Sequence, residues 1–176
     1  MNYKEWELKR LTMNKALNYE GQVRFGKIEG VEVIPLTTNI DDRGYLTESL
    51  RSSWVGNTPI KQVYFIENHE NNTVRGFHKH DVLIDWFTVM KGAALFCLFD
   101  DRPDSPTYGT LQKVVCGLQN KRSLVVPCGV HHGWKSLSEG TILLSQASEE
   151  YCKDKPDEYR IKWDSFGKDV WEKNII

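Results

Sequence analysis

The chain has 176 residues, 40% hydrophobic and 27% charged, with 23 Lys plus Arg set against 24 Asp plus Glu for a formal net charge of −1. A chain of this length buries roughly 70% of the surface its unfolded form exposes, so a single domain folds around its own core without a disulfide or structural metal. The near balance of charge gives no reason to expect nucleic acid or an anionic membrane as a partner.

The four cysteines, Cys97, Cys116, Cys128 and Cys152, are widely spaced, and two lie in apolar runs, which reads as reduced thiols of a cytoplasmic protein. The first residues, MNYKEWELKRLTMNKALNY, are charged throughout and lack the apolar stretch of a signal peptide. No segment approaches the ~20 apolar residues of a membrane span. In chain order, residues 3–18 are strong helix formers with Trp6, Leu8, Leu11 and Leu17 loosely on one face, which predicts a helical arm over residues 1–22 ahead of a domain at 23–176. From Val31 the pattern changes to short β-branched and aromatic runs separated by Gly, Pro, Asn and Asp: VEVIPLT, YLTESLR, QVYFIEN, TVRGFH, DWFTVM, AALFCLFD, TLQKVVCGL, SLVVP, GWKSLS, TILLSQASEEY and EYRIKW. At least nine short strands predict an all-β sandwich or barrel. Trp54, Trp86, Trp134, Trp163 and Trp171 read as core or interface residues.

Two stretches carry the chemistry. In VRGFHKHDVLIDWFTVMKG, His78 and His80 share one face of a strand because side chains alternate with a period of two, and Asp85 opens the next apolar run. In VVPCGVHHGW, Pro127 and Gly129 shape a turn that delivers His132 onto another strand, with His131 one residue out of phase and facing away. Both stretches can aim ring nitrogens into one cavity.

The spacing His-x-His-(x4)-Asp-(x6)-Gly, followed by Pro-x-Gly-x-x-His, resembles the two motifs of the cupin superfamily, whose fold is a double-stranded β-helix, or jelly-roll barrel. IDDRGYLTES, VRGFH, SPTYG, NKRSLVVPCGVHHGW and EYRIKWDS further resemble, in order and spacing over about residues 27 to 171, the dTDP-4-dehydrorhamnose 3,5-epimerases. That resemblance implies a homodimeric isomerase of cell-surface polysaccharide biosynthesis, acting on a nucleotide-linked 4-keto-6-deoxy sugar and requiring no cofactor. A ketone at C4 acidifies the hydrogens on C3 and C5, so a base can remove one and an acid on the opposite face can return a proton. By resemblance His78 is the base, and a pKa near 6.5 suits it to the task. Arg43, Arg75 and Arg122 match positions that hold the diphosphate, a task for the guanidinium fork. Glu48 and Asn68 match nucleotide or sugar contacts.

The departures from the family are informative. His80 stands for a glutamine, Asp85 for a lysine that stabilises the enolate, and the acid tyrosine aligns with Glu150, or with Tyr151 after a one-residue insertion. Orientation of the base then falls to Asp85, His132 or His80. His78, His80, Asp85 and His132 also make up the ligand set of metal-binding cupins, suited to Fe, Ni, Mn, Cu or Zn. Two further readings stay open. One is a sugar-nucleotide 3,4-ketoisomerase or other metal-assisted isomerase, favoured by the adjacent His78 and His80. The other is a non-catalytic sugar-binding cupin that kept the barrel and lost the acid.

Overall fold

The computed structural model describes residues 22–172, and in that range it contains thirteen strands, two 3-10 turns and no α-helix. The helical arm expected over residues 1–22 lies, save for Gln22, outside the described residues. The strands are β1 (Arg24–Phe25), β2 (Glu32–Pro35), β3 (Thr38–Asp41), β4 (Gly44–Thr47), β5 (Gln62–Asn68), β6 (Val74–Lys79), β7 (Asp85–Lys91), β8 (Ala93–Asp100), β9 (Thr110–Gly117), β10 (Arg122–Val126), β11 (Val130–Ser136), β12 (Thr141–Ala147) and β13 (Tyr159–Arg160). They form a six-stranded sheet, β1-β9-β8-β11-β6-β13, and a five-stranded sheet, β2-β10-β7-β12-β5, with β3 and β4 as a separate hairpin. This is the all-β double-stranded β-helix that the motifs predict.

Period-two alternation explains the layering. Phe87 and Val89 of β7, Leu124 and Val126 of β10 and Leu143 of β12 point inward from one sheet, and they meet Ala94, Phe96, Leu98, Val130 and Trp134 from the other to form the main core. The opposite face of the six-stranded sheet carries Phe77, Leu95, Cys97, Phe99 and Leu111, and the C-terminal segment folds over it with Phe166, Val170 and Trp171. Both sheets are therefore apolar along one half of the barrel's interior, which leaves the other half free for polar groups.

Two of the predicted strands are shorter than their sequence runs. YLTESLR is extended only through Thr47, since Glu48 turns to pair with Arg51, and EYRIKW contributes only Tyr159–Arg160. Cys97 and Cys116 are buried thiols, as predicted, whereas Cys152 is exposed. Among the tryptophans, Trp86, Trp134 and Trp171 are buried, while Trp54 and Trp163 are about two-fifths exposed, at 41% and 42%. No helix among the described residues is long and apolar enough to cross a membrane.

β6 and β11 approach unusually closely. A Cβ on Gly133 would stand 2.7 Å from both the Arg75 carbonyl oxygen and the Gly76 Cα. The pairing shifts register between His132 and Trp134, so Arg75 partners Trp134 while His78 partners His132. The glycines thus let the two histidine-bearing strands lie against each other where the site is built.

Candidate functional site

The sequence places four polar groups in one region, and the fold brings all four together. His78 comes from β6, His80 from the residue just past it, Asp85 from the start of β7 in the facing sheet, and His132 from β11. Their ligating atoms all lie within 4.8 Å of one another. The His78 ring centroid is 4.1 Å from that of His132 and 5.1 Å from that of His80. Asp85 and His132 are each only 2% exposed.

Charge is distributed unevenly over this cluster. Burial pushes the Asp85 carboxyl up, but the His132 and His80 imidazoles draw it down further, to about 2, so it is a carboxylate. Its Oδ2 lies 3.3 Å from His80 Nε2 and 3.3 Å from His132 Nε2. Burial opposes protonation of His80, yet the Asp85 carboxylate and the Asp157 carbonyl outweigh it and leave His80 above its ordinary value. His80 Nδ1 donates to the Asp157 backbone oxygen, which fixes the ring and turns Nε2 toward Asp85. His78 moves the other way: burial first, then His132, His80 and Arg160 hold it well below 6.5. His78 is therefore a neutral imidazole beside an imidazole that favours its cationic form. His132 donates from Nδ1 to the Val130 carbonyl at 3.0 Å, so its buried Nε2 faces the cluster, and the approach to Asp85 does not satisfy it as a hydrogen bond.

A cavity of about 270 Å³ opens beside the cluster. His78 and His80 line one side of it, Gln62 and Tyr64 of β5 line another, and Glu150 and Tyr151 follow from the segment after β12. Asp157 shapes its rim: the carboxylate accepts the backbone N–H groups of Asp81, Val82 and Leu83 at 2.8, 2.9 and 2.9 Å and so clasps the β6–β7 loop. Tyr64 sits on the inner face of β5, in register with Ser145 of β12. Burial, then the Asp85 charge, raise its phenol, and a hydrogen bond with Ser145 lowers it in part.

The remaining predicted residues lie elsewhere. Arg75 and Asn68 form one unit, with Arg75 Nε donating to Asn68 Oδ1 at 2.6 Å and Asn68 Nδ2 donating to the Thr73 carbonyl. Arg43 is in the β3–β4 turn, its side chain 86% exposed and paired with Asp41. Glu48 pairs with Arg51 in the loop after β4. Arg122, at the start of β10, opens onto a separate groove beside Phe25 and Lys113. It is four residues, about 13 Å of strand, from Val126, the residue that partners Asp85.

His131 faces away from the cluster as expected, but it is buried rather than solvated. Its Nε2 stands 3.4 Å from Asp101 Oδ2, the oxygen that Lys79 Nζ reaches at 2.7 Å, and both Asp101 and Lys79 are buried. Sequence reasoning missed this buried group, along with Tyr64 and Asp157. Tyr64 did carry a signal, because counting back by twos from Asn68 along QVYFIEN reaches Ile66, Tyr64 and Gln62 on the inner face.

The family model described as dTDP-4-dehydrorhamnose 3,5-epimerase matches residues 26–172. A probable low-salt glycan biosynthesis epimerase of Haloferax volcanii is 34% identical over 139 residues, which are 78% of this chain and 89% of that one. A spore coat polysaccharide biosynthesis protein of Bacillus subtilis is 32% identical over 138 residues, 78% of this chain and 91% of that one. Among solved structures, a dTDP-4-dehydrorhamnose 3,5-epimerase of Bacillus anthracis, with TDP and PPi bound, superimposes with a TM-score of 0.73 at 26% identity, covering 82% of this chain and 89% of that one.

Proposed function

Because this chain belongs to the dTDP-4-dehydrorhamnose 3,5-epimerase family, we propose that its cavity epimerises a nucleotide-linked 4-keto-6-deoxy sugar at C3, C5 or both, in the synthesis of surface polysaccharide. The observation that carries the reading is that His78 and His80 line one cavity with ring centroids 5.1 Å apart, the Asp85 carboxylate standing 3.3 Å from His80 Nε2. The C4 ketone makes the neighbouring C–H acidic, and His78 takes that proton. The electron pair moves onto the C4 oxygen, where the family's lysine would stand. Here the His80–Asp85 pair takes that place: both nitrogens of His80 are engaged, by the Asp157 carbonyl and by Asp85, so it acts on the enolate oxygen through its positive charge, which Asp85 sustains. A proton returned from the opposite face inverts the carbon. Tyr64 and Tyr151 both open into the cavity, and Tyr151 stands where the resemblance puts the acid.

Arg75, steadied by Asn68, is the diphosphate contact nearest in sequence to the base. Arg43 and Glu48 stand apart from the cavity of their own chain and serve it from a second copy. The hairpin that carries Arg43 exposes Ile40, Tyr45 and Leu46, and edge strand β5 exposes Val63 and Phe65, which supports a homodimer with these as the covered surfaces. Static light scattering reads this directly: a dimer mass is expected, and a monomer mass would contradict it. The reaction is tested by incubating the protein in heavy water with dTDP-, GDP-, CDP- and UDP-linked 4-keto-6-deoxy sugars and following the spectra by NMR. Deuterium at C3 or C5 with inversion is expected. A shifted carbonyl would replace the reading with a ketoisomerase, and inertness across the panel would replace it with sugar binding.

One observation favours a second reading, in which the cluster holds a divalent metal: the buried Nε2 of His132 lacks a hydrogen-bond partner and faces three other ligating groups. His78, His80, Asp85 and His132 would hold the ion, three imidazoles and a carboxylate fitting Fe, Ni, Mn, Cu or Zn. When bound it would supply Lewis-acid stabilisation of an oxyanion. Elemental analysis of protein purified without chelator, with melting before and after EDTA, decides the matter. One metal per chain, lost in Asp85→Ala, supports this reading, and a metal-free protein indifferent to EDTA rejects it.

A further inference from the structure

We infer that Tyr64, rather than Tyr151, is the proton donor that meets the sugar carbon on the face opposite His78. The inference rests on the epimerase reading of the cavity and names the residue that completes it. Inversion needs a base and an acid on opposite sides of one carbon, which a barrel supplies when the two residues come from facing sheets. His78 belongs to β6 of the six-stranded sheet and Tyr64 to β5 of the five-stranded sheet, and both line the same cavity. Along the inner face of β5, Gln62 and Tyr64 open into the cavity while Ile66 packs on the main core, so the period of the strand aims the tyrosine inward.

Tyr64 is also the better anchored of the two phenols. It stands on a strand paired residue by residue with β12, directly partnering Ser145, whose side chain shares a hydrogen bond with it and lies 3.5 Å from Asp85 Oδ1. The two phenols are similarly exposed, Tyr64 40% and Tyr151 48%, but Tyr151 follows the end of β12 in irregular chain, with its backbone N–H tied to Gln62 Oε1 at 2.7 Å. A proton donor must be held to a fraction of an ångström, and a side chain on a paired strand meets that demand better than one on a loop. The sequence alignment pointed to the loop because it followed the family's position, while the geometry places a second hydroxyl on the facing wall.

The step balances simply. His78 removes the proton, the C–H electron pair becomes the enolate, and a new C–H bond forms on the other face with the proton of the Tyr64 hydroxyl. The resulting imidazolium and phenolate return to neutrality by losing and gaining one proton at the solvent-open mouth of the cavity.

The test compares Tyr64→Phe and Tyr151→Phe in heavy water with a sugar that the wild-type enzyme inverts. Tyr64→Phe keeps its base, so it is expected to wash deuterium into recovered substrate with retained configuration, near the wild-type rate, while product falls by at least ~100-fold. Tyr151→Phe is expected to invert normally. Product from Tyr64→Phe at a rate close to wild type would overturn the assignment. So would loss of exchange together with product, which would move Tyr64 to binding, or exchange without inversion in Tyr151→Phe. Silence of the wild-type enzyme on every sugar would instead remove the epimerase reading beneath it.

Discussion

Gly133→Ala is a one-carbon change at the contact that brings the two histidine strands together. The added Cβ would stand 2.7 Å from the Arg75 carbonyl and from the Gly76 Cα, and 3.1 Å from the Trp171 ring, whereas ordinary contact begins at 3.4 Å. Two of the obstacles are backbone and the third is a buried ring, so nothing flexible can yield, and β6 and β11 must part by about 0.7 Å. Overpacking of this kind costs about 1–3 kcal/mol, and a backbone obstacle places this case at the upper end. At roughly 2–4 °C per kcal/mol for a domain of this size, the melting temperature is expected to fall by about 6–12 °C. The functional effect is larger, since His78 and His132 lie on the strands that separate and a displacement near 1 Å costs about 100-fold in turnover. Differential scanning calorimetry and NMR turnover measure the two effects on the same sample. A variant that melts within about 2 °C of wild type and turns over normally would refute the claim that this contact sets the geometry of the cluster.

The acid limb of kcat/KM is expected below pH 6.5, because burial and the neighbouring imidazoles lower the His78 pKa and so keep the base unprotonated at that pH. A profile already falling above pH 6.5 would contradict it. Lys79→Met strands the buried Asp101 carboxylate and is expected to cost about 3–5 kcal/mol, read as a loss of roughly 10 °C in melting temperature. Burial raises the Asp101 pKa, but His131 and Lys79 bring it below 3.8 in the folded protein, so the stability it contributes is present above that value and lost as pH falls. The deficit of Lys79→Met should accordingly shrink in acid, and a deficit independent of pH would argue against the ion pair as its cause.

The sequence exposed the histidine cluster because its signals are local: His78 and His80 are one strand period apart, and the Pro127–Gly129 turn fixes which histidine of His131 and His132 enters the barrel. The strand inventory was legible for the same reason. Tyr64 was harder to see because its inward aim depends on which face of β5 turns toward the six-stranded sheet, a fact supplied by the packing of the two sheets and not by QVYFIEN itself. Asp157 acts across more than seventy residues, on the loop at Asp81–Leu83 and on His80, and no local pattern links the two. Lys79, Asp101 and His131 carry no local sign of burial in the sequence, yet all three are buried together in the fold. Arg122 matched a motif but stands at the far end of its strand, because period-two reading gives the face of a residue and not its distance from the site.

The central claim is that His78 is the base of a sugar epimerase, and deuterium exchange by His78→Asn tests it most directly. Asparagine keeps much of the size and hydrogen bonding of the imidazole but cannot take the proton. The expected result is loss of exchange at C3 and C5 by at least ~100-fold, with nucleotide-sugar affinity by calorimetry unchanged. Exchange at near wild-type rate in that variant would contradict the account.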